Sequence, residues 1–202
     1  MAILNCSVRA ILLSGTVLGL AWGQTQSRTE DQPGTRHRTP QERLAQLEEI
    51  VRHNPPLRTE FTPHLAYHAF KAGDYFKAES YAVSALNLST SESGEPAANA
   101  SIYGHEVLGL LALKQGAVEP AKLHLLESAK TKGTYLVNKN GPNMELAKAL
   151  LDKGERDTVI QYLELCKAFW RTKEGLNSLL AWQGAIRAGA MPDFDRQLFI
   201  VP

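Results

Sequence analysis

The histidines are the residues of this sequence with the most recognisable chemistry. His64 and His68 stand four residues apart, so on a helix they would share a face and could hold one metal ion together. His105, followed by glutamate, is the first half of the zinc-peptidase signature HExxH, but Gly109 occupies the place of the second histidine. A metal-dependent hydrolase that uses His64, His68 and His105 or His124 is therefore only an alternative. We interpret these histidines as exposed side chains on helix faces and expect no metal site.

Nucleophilic catalysis has no better basis in the sequence. Neither a GxSxG elbow nor an SxxK motif is present, and the hydroxyl-rich segment from Ser89 to Ser93 is predicted to be a loop. Cys166 falls at a small-residue packing position of a predicted helix, which predicts a buried and unreactive thiol. Glycine-rich phosphate-binding loops are missing as well. These features predict a protein with no catalytic centre and no cofactor.

The N-terminal segment has the pattern of an export signal. Arg9 is followed by an apolar run over residues 10–22, which is shorter than the roughly 20 residues that span a bilayer. Small residues precede Gln24, so we expect residues 1–23 to be a secretory signal peptide cut after Gly23. The protein would then be secreted or periplasmic in a bacterium, with no stable membrane insertion after cleavage. An uncleaved membrane anchor and a buried N-terminal helix are the alternatives.

Composition limits the partners of the exported chain. Of the two cysteines, only Cys166 would remain after cleavage, so stability must come from an apolar core rather than an internal disulfide. The full chain has 22 Lys and Arg against 21 Asp and Glu, and loss of Arg9 makes the two signs equal. A chain without net charge gives no reason to expect nucleic acid or an anionic membrane as partner.

Segments at both ends of the mature chain differ from its centre. Residues 24–40 carry no large apolar side chain and are rich in Thr, Arg, Gln and Pro, which predicts a disordered linker. Residues 191–202 form a C-terminal tail that contains the apolar run LFIV. Such a run should not stay in water, so we expect it to fold back onto the protein, with docking into a partner as the alternative.

Between these segments, residues 41–190 have the pattern of paired helices. Three stretches of sequence can be aligned by their turn glycines, Gly73, Gly116 and Gly154. Each glycine is followed, five and twelve residues later, by a small or β-branched residue: Ala78 and Ala85, Ala121 and Ser128, Val159 and Cys166. One helix from Pro40 and another near residues 175–188 would cap the two ends. The prediction is an all-α protein of about eight helices, built as three helical hairpins between N- and C-terminal capping helices.

This threefold recurrence resembles the tetratricopeptide repeat over residues 59–170, although the glycines are farther apart than that family's period of roughly 34 residues. The excess falls in two segments between hairpins, 89–100 and 132–140. No tryptophan occupies the family's fourth position, so helical hairpins of another kind are an alternative. Residues 141–170 are similar to segments of uncharacterised secreted bacterial repeat proteins.

The resemblance implies a function as well as a fold. In such arrays the first helices of the hairpins line a groove, and the register places along it Tyr67, Phe70, Lys71, Leu110, Leu113, Lys114, Lys148 and Leu151. An apolar groove edged with lysines suits a peptide that carries apolar side chains and a carboxylate. We therefore expect a non-enzymatic scaffold that binds a protein or peptide, with self-association possible. The alternatives are burial of these side chains by neighbouring helices, and a structural role in a cell-envelope assembly.

Overall fold

The structure, a computed structural model, describes residues 38–198, and every regular element in that range is helical. The α-helices are α1 Pro40–His53, α2 Arg58–Ala72, α3 Tyr75–Ser91, α4 Gly94–Lys114, α5 Val118–Ser128, α6 Tyr135–Asn140, α7 Glu145–Leu151, α8 Arg156–Cys166 and α9 Lys173–Arg187. Single 3₁₀ turns lie at Pro55–Leu57 and Asp195–Gln197. The predicted all-α class is confirmed. The predicted signal peptide, most of the predicted linker and the last four residues lie outside the described range.

Helix α1 begins where the sequence indicates, because Thr39 and Glu42 form a capping box at its N-terminus. The Thr39 hydroxyl accepts a hydrogen bond from the Glu42 amide at 3.2 Å, and the Glu42 carboxylate accepts one from the Thr39 amide at 2.8 Å. Pro40 occupies the first helical position, where no amide hydrogen is needed. At the other end, Asn54 and the two prolines that follow it stop the helix.

The three predicted turn glycines each separate two consecutive helices. Gly73, Gly116 and Gly154 have φ angles of 81°, 77° and 88°, a left-handed conformation in which a side chain would be strained. After Gly73 the Asp74 carboxylate accepts a hydrogen bond from the Lys77 amide at 3.1 Å and caps α3. The chain therefore reverses direction at the positions that the sequence pattern indicates.

Two segments lengthen the repeat, 89–100 and 132–140, and the first was predicted to begin with a loop from Ser89 to Ser93; this prediction was wrong. Helix α3 continues through Ser91 and α4 begins at Gly94, so the hydroxyl-rich segment is mostly helical. The Ser89 and Thr90 hydroxyls donate hydrogen bonds to carbonyl oxygens of the preceding turn, at 2.7 and 2.8 Å, and so leave the helix intact. Most of the second segment, 132–140, forms the short helix α6.

Helix α4 is packed against several neighbours in the range 38–198. It packs against α2, α3, α5 and α7, while α5 also contacts α7 and α8, and α8 contacts α9. Fully buried alanines lie throughout this packing: Ala66, Ala69, Ala78, Ala82, Ala85, Ala100, Ala121 and Ala147. Side chains this small let helix backbones approach one another closely. No helix within residues 38–198 is both long and apolar enough to span a membrane.

The described part of the C-terminal tail packs against the helices before it. The Phe194 ring is buried and stands edge-on to Trp182, with ring centroids 5.0 Å apart. The indole of Trp182 donates a hydrogen bond to the Asp193 carbonyl at 2.9 Å, and the Met144 amide donates one to the Gln197 carbonyl at 3.1 Å. Residues 199–202, which contain the rest of the apolar LFIV run, lie outside the described range.

Two glycines in helices should respond oppositely to replacement by alanine. A Cβ atom on Gly109 of α4 would lie 2.4 Å from the Cδ2 atom of the buried Leu146, whereas one on Gly184 of α9 would meet nothing within 4 Å. Gly109→Ala should lower the free energy of unfolding by about 2 kcal/mol through overpacking. Gly184→Ala should raise it by about 0.5–1 kcal/mol through helix propensity. Urea unfolding measures both, and equal effects would contradict the close packing around α4.

Candidate binding surface

The residues that the sequence predicts for a groove lie on three helices. Those on α2 are Tyr67, Phe70 and Lys71, those on α4 are Leu110, Leu113 and Lys114, and those on α7 are Lys148 and Leu151. Because α4 packs against both α2 and α7, the three helices lie in succession. The eight residues are thus distributed over one run of neighbouring helices.

These residues differ widely in exposure. Tyr67 and Leu110 are only 3% and 5% exposed, as the alternative of burial by neighbouring helices requires. Lys71 and Lys114 are exposed, and the other predicted groove residues are half-buried: Phe70, Leu113, Lys148 and Leu151. A ligand could therefore reach the lysine ammonium groups and the edges of the half-buried side chains, but not the body of Tyr67 or Leu110.

A carboxylate that the sequence analysis did not single out links α2 to α7. The Tyr67 hydroxyl donates a hydrogen bond to Glu145 Oε2 at 3.0 Å, and the Lys71 ammonium donates one to Glu145 Oε1 at 3.0 Å. The same ammonium lies 5.7 Å from the centroid of the Tyr67 ring. We refer to Tyr67, Lys71, Glu145 and the nearby Glu106 as the inner polar cluster.

Glu106 is the least expected member of the inner polar cluster. It is 4% exposed, and its Oε1 atom is buried without a hydrogen-bond partner. Burial raises the pKa of this carboxyl to about 8; the negative charge of Glu145 adds to the shift, and the positive charge of Lys71 opposes it. At neutral pH the protonated form of Glu106 therefore prevails. A sequence signal existed, since Glu106 stands three residues after Tyr103 and four before Leu110 on an apolar face.

Two tyrosines, Tyr67 within the cluster and Tyr103 near Glu106, stay protonated for the same reason. Burial raises the pKa of the Tyr67 hydroxyl, and the charges of Glu145 and Glu106 raise it further. Burial likewise raises the pKa of Tyr103, with a further contribution from Glu106. The cluster therefore offers hydroxyl groups as hydrogen-bond donors rather than phenolate nucleophiles.

A second group of side chains lies at the C-terminal ends of α2 and α4 and at the start of α3. The rings of Phe70 and Tyr75 have centroids 5.7 Å apart, and the Lys114 ammonium lies 5.5 Å from the Tyr75 centroid. We call Phe70, Tyr75 and Lys114 the lysine–aromatic patch. Tyr75 is 42% exposed, and Phe76 beside it is 85% exposed, so an apolar surface is open to solvent here.

The histidines form two separate pairs. His64 and His68 lie on α2, where burial, the neighbouring His64 and Arg43 together lower the pKa of His68 to about 4. His105 on α4 faces His124 on α5, with the two Nδ1 atoms 3.0 Å apart. Burial lowers the pKa of both, that of His105 to about 4. Among the histidines that the structure describes, His105 and His124 are thus brought together, but no set of three or more is.

The remaining candidates for chemistry are the thiol of Cys166 and any cluster of metal-binding side chains. Cys166 is buried, as the sequence predicts, and burial raises the pKa of its thiol. Among residues 38–198, no group of three or more His, Cys, Asp or Glu side chains is arranged to hold a metal ion.

No protein-family model matches the chain, and searches of curated proteins and of solved structures give no match either. What the protein does must therefore be inferred from its own residues.

Replacing Glu106 should change how stability depends on pH. The folded-state pKa of about 8 lies above the ordinary value of 4.5, so the folded state binds the proton more tightly than the unfolded state. The contribution of Glu106 to the free energy of unfolding should thus fall as pH rises from about 4.5 to 8, by at most about 1.4 kcal/mol for each pH unit. Below about pH 6.5 the half-buried histidines, whose pKa values are lowered, act in the opposite direction, so the slope belongs to the difference between wild type and Glu106→Gln and not to the wild-type curve alone.

Urea unfolding at several pH values between these limits would measure the difference. The matched control is Glu119→Gln, which removes an exposed carboxyl of α5 and should leave the curve parallel to that of the wild type. If the Glu106→Gln curve also ran parallel to the wild type, the buried carboxyl would not be the protonated group described here.

Two tyrosine hydroxyls that donate to glutamates should differ in their contribution to stability. The Tyr67 hydroxyl donates to Glu145 from a buried position, and the Tyr81 hydroxyl donates to Glu48 from a half-exposed one, both at 3.0 Å. Tyr67→Phe should lower the free energy of unfolding by about 2 kcal/mol, and Tyr81→Phe by less than about 1 kcal/mol. A double-mutant cycle of Tyr67→Phe with Glu145→Gln should show coupling; strictly additive effects would contradict the contact.

Proposed function

We propose that this protein is an exported, non-enzymatic scaffold that binds a protein or peptide segment along α2, α4 and α7. Its helical hairpins would stack as in tetratricopeptide repeats. The observation that carries the proposal is that α4 packs against both α2 and α7, and that Tyr67 and Lys71 of α2 donate hydrogen bonds to Glu145 of α7. The glycine turns after α2, α4 and α7 support the same arrangement, since each is followed by a second helix that contacts the first. Export is supported by the sequence of residues 1–23 alone.

The accessible side chains favour a ligand with both apolar groups and a carboxylate. Glu145 already neutralises Lys71, whereas within residues 38–198 Lys114 takes part in no ion pair and stands beside the Phe70 and Tyr75 rings. A carboxylate of a bound peptide would meet the Lys114 ammonium, and an adjacent apolar side chain would cover the exposed aromatic edges. Contact should therefore centre on the lysine–aromatic patch.

A functional role without catalysis fits the chemistry of the inner polar cluster. The carboxylate of Glu145 accepts hydrogen bonds from Tyr67 and Lys71. The carboxyl group of Glu106 is protonated and points an oxygen into the core. A general acid or base has to reach the atom whose proton it moves. Glu106 is buried, and both carboxylate oxygens of Glu145 are engaged by Tyr67 and Lys71, so the cluster is better suited to holding α2 and α7 in position.

Selection from a display library of short random peptides tests the proposal. Peptides that bind the purified chain should be enriched in sequences that combine acidic and apolar residues. Lys114→Glu should weaken binding of an enriched peptide by about tenfold, because the ammonium that attracts its carboxylate is replaced by a like charge. Fluorescence anisotropy measures the affinity, and circular dichroism checks that the variant is folded.

The matched control is Lys132→Glu, which reverses an exposed lysine outside the proposed surface. It should leave the affinity of the same peptide unchanged. If the library yields no enriched sequences, or if the two charge reversals weaken binding equally, the proposed binding surface is wrong.

A further inference from the structure

Two imidazoles from neighbouring helices meet on the side of α4 that faces α5. His105 and His124 bring their Nδ1 atoms to 3.0 Å, with ring centroids 5.3 Å apart and ring planes inclined by 41°. Both side chains are half-buried, so one part of each is fixed by packing while solvent reaches the rest. These two histidines have no part in the proposed peptide surface.

The meeting of the two histidines depends on a glycine one helical turn after His105. A Cβ atom on Gly109 would lie 3.2 Å from the Cβ atom of His124, closer than side chains normally approach. The absence of a side chain at 109 therefore lets α5 bring His124 against this part of α4. The sequence lacks the second histidine of HExxH at this position, and the neighbouring helix supplies an imidazole there instead.

The two Nδ1 atoms share a hydrogen bond in which one imidazole donates to the other; once a metal ion displaces that proton, their spacing is one that two ligands of the same ion can have. With bonds of about 2.0–2.1 Å, nitrogens 3.0 Å apart subtend an angle of about 95° at the metal. Tetrahedral ligands with the same bonds would be about 3.4 Å apart. An angle near 90° is that of adjacent positions in the square or tetragonal geometry that Cu²⁺ prefers, and Cu²⁺ also binds nitrogen ligands most tightly of the divalent first-row ions.

We propose that His105 and His124 form a two-histidine site for a divalent transition-metal ion, Cu²⁺ above all, which binds through the two Nδ1 atoms. Because no larger group of His, Cys, Asp or Glu ligands exists among residues 38–198, water or an added ligand must fill the other positions. Glu127, one turn after His124 on α5, acts electrostatically on both imidazoles but is ion-paired with Lys130. We assign it an outer role, which is to favour a cation nearby.

The site is suited to binding a metal rather than to hydrolysis with one. In HExxH enzymes the glutamate after the first histidine acts on the metal-bound water. Here that residue is Glu106, which lies on a different side of α4 with an oxygen buried in the core. Successive residues of a helix point about 100° apart, so Glu106 and His105 face different surroundings.

Titration of the full chain without a polyhistidine tag with CuCl₂ tests the proposal. Calorimetry should show one bound Cu²⁺, and the electron paramagnetic resonance spectrum should show coupling to two imidazole nitrogens. His124→Asn should weaken the affinity by about tenfold or more and reduce the coupling to one nitrogen, since loss of a ligand costs at least as much as loss of its supporting contacts. The matched control His68→Asn changes another half-buried helical histidine and should leave both readouts unchanged.

Several results would overturn the proposal. These are a wild-type spectrum without coupling to two nitrogens, an affinity unchanged by His124→Asn, and a loss of binding in His68→Asn, which would place the ion on α2. If thermal melting shows that His124→Asn is unfolded, the spectrum of folded His68→Asn decides. Coupling to two nitrogens there supports the pair on α4 and α5, and its absence refutes it. Stronger binding of Zn²⁺ than of Cu²⁺ would overturn the assignment of Cu²⁺ as the preferred ion.

Discussion

Two glycines of α4, Gly104 and Gly109, lie so close to neighbouring helices that a Cβ atom at either position would collide with a side chain. A Cβ atom on Gly104 would lie 2.8 Å from a methyl group of Leu86 on α3, and one on Gly109 would press on Leu146 of α7 and on His124 of α5. Each glycine inside a helix costs about 1 kcal/mol relative to alanine, so the packing gained must exceed that cost. Fully buried alanines in the flanking helices extend the same close approach to the rest of the protein.

Much of the fold can be predicted from two features of the sequence, which are the spacing of its small residues and its turn glycines. Gly73, Gly116 and Gly154 could be identified as turns because the apolar pattern stops at each of them and resumes after it. The hydroxyl-rich segment from Ser89 was misread as a loop because composition alone does not reveal hydrogen bonds from hydroxyls to the carbonyl oxygens of the preceding turn. Composition also gave no indication of the short helix α6.

Contacts between helices were harder to foresee than the helices themselves. Periodicity shows which face of α4 is apolar, and the same rule identifies Glu106 as a buried carboxyl. It does not show which residue of a distant helix lies opposite. Glu145 meets Tyr67 and Lys71, and His124 meets His105, only because of how far one helix is displaced along another. That displacement is set by packing in three dimensions.

The position of α4 also determines how the protein can open. The buried side chains form two clusters; Val107 and Leu111 of α4 belong to one with α1, α2 and α3, while Ile102, Tyr103 and Leu110 belong to the other, which extends to α9 and the tail. Helices α1 and α9 can separate from the remainder while α4 stays covered, whereas exposing α4 disrupts both clusters at once. The amide hydrogens of α4 should therefore exchange with solvent only when the whole domain unfolds, and those of α1 and α9 much sooner.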